Sequence, residues 1–187
     1  DKYLKNSYFQ ELFEKEEKII FRNKKFKKLV KEIRKELYKV YGLYQVKKQS
    51  TKQELLEKLN QAANINQIKE ISREILKQHT SSRERLNEYE NIYSEIFKIT
   101  KPNSIIDLAS GLNPCSIILS DFQGDYFAYE ISRNDVELLN NYFKTLKKYK
   151  INGKAFVKDI TKDFNFEKED ICLLFKFLDL LEKNRKL

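Results

Sequence analysis

The sequence predicts an α/β protein: a helical domain over residues 1–100, followed by an open, partial parallel sheet over residues 101–187. Three observations predict it. Apolar residues recur at intervals of three and four through the first hundred positions. After Pro102 the pattern changes to short apolar runs with an amphipathic helix between two of them. The first of those runs ends in an acid, Asp107, and a turn with a glycine, Gly111.

Taken in order, residues 24–41 place Phe26, Leu29, Val30, Ile33, Leu37, Val40 and Tyr41 on one stripe, with Lys24, Lys25, Lys27, Lys28, Lys31, Arg34 and Lys35 on the flank. Gly42 supplies a stop. Thr51 and Glu54 form a capping box for a helix carrying Leu55, Leu56 and Leu59, and residues 65–76 carry the next stripe. A second box, Ser81 and Glu84, opens a helix with Leu86, Tyr89, Tyr93, Ile96 and Phe97 that ends before Pro102. Strands are expected at 104–108, 126–131, 154–157 and 171–175, with a helix around Val136, Leu139, Tyr142 and Phe143 between the second and third. The sheet is expected to stop early, after its fourth strand.

Charge is unevenly distributed. Residues 1–78 hold 20 Lys/Arg against 11 Asp/Glu, whereas residues 79–187 hold 17 of each. The basic half is suited to a polyanion and the neutral half to another task. No apolar run approaches the roughly 20 residues that cross a bilayer, and the first residues have no signal-peptide pattern, so an intracellular, cytoplasmic protein without membrane attachment is expected. Cys115, Cys172 and the lone His79 give no ligand set for a metal. Both cysteines read as small buried hydrophobes.

The chemistry centres on residues 104–114, SIIDLASGLNP. In a doubly wound sheet ligands sit outside the carboxyl ends of the strands, so Asp107, Ala109, Ser110 and Gly111 are expected to floor a nucleoside site. Glu130 ends the second strand at the interval where an acid accepts hydrogen bonds from ribose hydroxyls. Ile131 could cover an adenine face, and Asp159 with Ile160 could meet the adenine amine. A single glycine lacks the three-glycine pyrophosphate fingerprint, which disfavours a nicotinamide-dependent oxidoreductase and favours S-adenosylmethionine. That cofactor needs a cation for its carboxylate, which Arg83 or Arg85 could provide.

The segments HTSSRERL from His79, YSEIF from Tyr93 and IDLASGLNP from Ile106 resemble the signature segments of the aminoglycoside-resistance 16S ribosomal RNA guanine-N7 methyltransferases. Residues 173–182 are similar to that family's fourth-strand segment, and residues 35–44 to its N-terminal helical domain. The resemblance implies a Rossmann-like class I methyltransferase sheet that binds S-adenosylmethionine. It implies Arg83 on the methionine carboxylate, Ala109 and Gly111 lining the cofactor, Glu130 on the ribose, and Asp159 with Ile160 on the adenine. Ser110 and Glu130 stand where the family usually has Cys and Asp. The expected partner is ribosomal RNA in the small subunit, docked on the basic helical part by a monomer. No catalytic base is expected, because guanine N7 already carries a free lone pair. A non-catalytic RNA-binding module on the same scaffold stays open at this point.

Overall fold

The computed structural model describes residues 24–37, 51–162 and 165–175. The chain divides into two compact units, residues 1–43 and 44–187. In the first, α1 (Lys24–Leu37) exposes Lys24, Lys27, Lys28, Lys31 and Lys35 and half-buries Leu29, Val30 and Ile33, the expected stripe and flank. The side chains of Lys25, Phe26, Arg34 and Leu37, together with Val40, Tyr41 and the expected stop at Gly42, lie outside the described residues.

The second unit begins with α2 (Thr51–Gln61) and α3 (Ile65–Leu76). Asn64 caps α3, its side-chain oxygen accepting from the Gln67 N–H at 3.0 Å. The single helix expected from Ser81 to Phe97 is broken into α4 (Thr80–Glu84) and α5 (Tyr89–Thr100). Arg85 leaves the helical region at φ −96°, ψ 4°, and four turn residues intervene. Ser81 and Ser82 are buried inside α4 rather than capping it, and the cap position falls to His79. Lys101, left-handed at φ 44°, ends α5 immediately before Pro102.

Strands β1 (Ser104–Leu108), β2 (Gly124–Glu130), β3 (Ile151–Val157) and β4 (Ile171–Leu173) form one parallel sheet in the order β3-β2-β1-β4. A 3₁₀ segment, Asn113–Leu119, follows β1, and α6 (Arg133–Leu146) joins β2 to β3. Ser132 caps α6, accepting from the Asp135 N–H. Gly153 lets α6 lie close on β3, because a Cβ there would overlap the Phe143 ring.

One core unites the helices with one face of the sheet: Leu59, Ile68, Ile75, Tyr89 and Tyr93 pack with Ile105, Ile117, Tyr126, Leu139 and Tyr142. The helices from Thr51 to Thr100 therefore share a unit with the sheet, and the change of period at Pro102 marks where strands begin within it. Each fully buried aliphatic side chain contributes about 1.5–3 kcal/mol. Buried hydroxyls are satisfied across the same seam: Ser72 Oγ lies 2.8 Å from Tyr142 OH, which donates to the Cys115 carbonyl. The opposite sheet face carries Leu108, Phe127, Tyr129, Phe156 and the exposed Cys172, partly exposed among the described residues. Of the two cysteines, only Cys115 is the buried hydrophobe expected of both. Cys172 points away from the core because its neighbours Ile171 and Leu173 take the inward positions of a three-residue strand. No helix among the described residues is long and apolar enough to cross a membrane.

Candidate functional site

The site forms where β1 and β2 end. Two non-helical residues turn the chain after β1: Ala109 at φ 51° and Gly111 at φ 53°. Left-handed backbone is unfavourable for a residue with a Cβ, so Ala109 is held there by its surroundings. The Ser110 N–H donates to the Tyr129 carbonyl at 3.0 Å, and the Gly111 N–H donates to Glu130 Oε2 at 2.8 Å. A Cβ at 111 would also stand 3.2 Å from His79 Cε1, so the imidazole would have to shift. His79 thus packs on the turn itself.

Glu130 is the knot of the arrangement. Its Oε1 accepts from the Ser132 N–H at 3.0 Å, so one carboxylate ties the β1 turn to the start of α6. Burial raises its pKa, and the two main-chain donors oppose that rise. Each oxygen keeps a further lone pair for a ligand hydroxyl. Ile131, the next residue, is half exposed, as is Val157, which pairs in register with Glu130 at the end of β3. The sequence did not single out Val157, because it reads as an ordinary strand valine; its exposure beside Ile131 makes an apolar rim at the strand ends. Ile160 is buried. Asp159 accepts from Thr161 N and Oγ1 at 3.1 and 2.6 Å, which holds its pKa low.

Asp107 lies beneath the turn, fully buried. Its Oδ2 accepts from Asn113 Nδ2 and Tyr126 OH, each at 2.7 Å. Its Oδ1 accepts no hydrogen bond among the described residues. Desolvation pushes its pKa up to about 7 against the pull of those two donors. Asn113 therefore belongs to the site by linking the turn to Asp107, a role that its place in the Gly-Leu-Asn-Pro segment hinted at without specifying. Ser116 and Tyr93 continue the network, their hydroxyls 2.7 Å apart.

The two arginines considered as carboxylate partners separate in the structure. Arg83 is exposed on α4. Arg85 is half-buried, with Nη1 donating to Ser81 Oγ at 3.0 Å and the guanidinium 4.7 Å from the Phe175 ring centroid. Its Nε is buried without a hydrogen-bond partner among the described residues, and its charge acts on Asp107. A turn of small residues, an acid at the second strand's end, an apolar rim and a half-buried guanidinium fit a nucleoside carrying an amino-acid tail.

This fold and turn define a partial Rossmann-like domain of the class I methyltransferase kind. A sequence model of the ribosomal RNA methyltransferase (FmrO) family matches residues 12–187, and the chain belongs to that family. A 16S rRNA (guanine(1405)-N(7))-methyltransferase of Proteus mirabilis is 30% identical over 178 residues, covering 86% of this chain and 61% of its own length. Its counterpart from Micromonospora echinospora is 29% identical over 163 residues, covering 84% and 58%. The 16S rRNA methylase RmtB superposes with a TM-score of 0.65 at 23% identity, over 85% of this chain and 60% of that one. RmtF in complex with S-adenosyl-L-homocysteine gives 0.61 at 22% identity, over 90% and 62%. The chain thus spans about 60% of the length of the curated relatives it matches.

Proposed function

We propose that this chain carries the cofactor-binding part of an S-adenosylmethionine-dependent methyltransferase that modifies guanine N7 in small-subunit ribosomal RNA. The observation that carries it is the Gly111 N–H held on the Glu130 carboxylate, within a chain matched almost end to end by the family. Glu130 would receive the ribose hydroxyls, Ile131 with Ile160 and Asp159 the adenine, and Asp107, Ala109 and Ser110 the floor. Of the two arginines, Arg85 is better placed than Arg83 for the carboxylate, because it is half-buried and braced by Ser81 and Phe175.

S-adenosylmethionine, when bound, supplies an electrophilic methyl group on a sulfonium. Guanine N7 attacks with its own lone pair, so these residues need only orient the reactants and exclude water. Such positioning is worth about 7–11 kcal/mol of barrier lowering in favourable cases. The exposed lysines of α1 would hold RNA phosphates, giving salt-sensitive and largely shape-based docking by a cytoplasmic monomer.

The test incubates small ribosomal subunits with labelled cofactor and maps the modified base. We expect label on the N7 of one guanine, lost in Gly111→Trp. Cofactor and subunit binding without any transfer would instead support a non-catalytic RNA-binding module.

A further inference from the structure

Lysines gather at a second place. From Leu138 to Lys158 the sequence holds six lysines and no acid. Lys144, Lys147, Lys148 and Lys150 are exposed around the end of α6 and the 3₁₀ turn Lys147–Tyr149, while Lys154 lies mid-strand in β3 on the other sheet face. β3 is an edge strand.

We propose that Lys144, Lys147, Lys148 and Lys150 form a second contact for RNA phosphates, at the end of the sheet opposite the cofactor turn. This rests on the function proposed above. The placement follows from topology. α6 runs back from the end of β2 to the start of β3, and the Gly124 N–H at the entry to β2 donates to the Lys150 carbonyl. The turn with Gly111 lies at the exits of the same strands, about 20 Å away for a seven-residue strand.

Two bland accounts fit these lysines less well. Complementing the α6 dipole needs cations only in its last turn, where Lys144 stands, and the effect fades beyond that turn. Three other lysines of this unit each stand against an acid, Lys58 on Glu74, Lys98 on Glu95 and Lys162 on Asp159, whereas Lys144, Lys147, Lys148 and Lys150 crowd within seven residues of chain. None of these four has a carboxylate partner among the described residues. Lys144 donates to the Asn141 side chain, while Lys148 lies over Tyr149. A cluster of ammonium groups held in no ion pair is what a polyanion releases counterions to meet.

The experiment titrates small ribosomal subunits and protein-free 16S RNA with the wild type and with Lys147→Gln/Lys148→Gln/Lys150→Gln over a salt series. Cofactor binding is followed by calorimetry. We expect the salt slope of log affinity to shrink by about 2–3 and affinity to fall at least about tenfold, with cofactor affinity unchanged. The three-arginine variant should restore both. An unchanged slope overturns the proposal and leaves the methyltransferase function standing. Loss on intact subunits but not on free RNA assigns the lysines to an acidic ribosomal protein and also overturns it. A wild type that binds cofactor but neither RNA target overturns both.

Discussion

At the scale of the residue, Asp107 and Gly111 hold the turn by different physics. Asp107 ionises only against desolvation, so its folded pKa is about 7 and the unfolded value 3.8. A raised carboxyl pKa favours the folded protein fully below pH 3.8, and that advantage is lost as pH rises through about 7. The span corresponds to roughly 4 kcal/mol at most. Thermal melts from pH 4 to 8 should therefore show the wild type losing stability relative to Asp107→Asn, which cannot ionise. Parallel curves would show that the carboxyl titrates normally. Gly111→Ala places a Cβ on left-handed backbone and against His79, and should destabilise by about 1–2 kcal/mol in chemical denaturation. His79→Ala in that background should recover the steric share and leave the backbone share.

At the scale of the element, the strands were legible because β1, β2 and β3 are short apolar runs of the period a covered parallel sheet demands. β2 and β3 begin two and three residues earlier than expected, at Gly124 and Ile151, since Gly124, Asp125, Asn152 and Gly153 near the strand entries carry no apolar signal. The helix expected from Ser81 was not legible as two, because its break depends on where Arg85 and the buried serines sit in three dimensions. The turn and its acid were readable for the opposite reason: Asp107, Gly111 and Glu130 are fixed by strand ends that the periodicity marks. Their mutual bond, and the roles of Asn113 and Val157, come from tertiary contact that spacing does not encode. Gly153 is an element-scale requirement too. Gly153→Val should drive α6 off the sheet and lower stability by several kcal/mol in denaturant titration, whereas Asn152→Val, exposed on the same strand, should change it by less than about 0.5.

At the scale of the whole molecule, two compact units carry different charge, and the basic excess lies before His79. Replacing Lys24, Lys27, Lys28 and Lys31 of α1 with glutamine should weaken subunit binding and flatten its salt dependence, while calorimetric cofactor affinity stays at the wild-type value. A fall in cofactor affinity would contradict that division of labour.

Cys172 gives the molecule a ready-made gauge. Cys115 is sealed in the interior and Cys172 is exposed, so a thiol-selective dye added to the unmodified chain should mark Cys172 alone. The speed of that labelling, followed as other polypeptide or RNA is added, would tell whether the aromatic surface around Phe127 and Phe156 is left open to solvent or becomes sheltered.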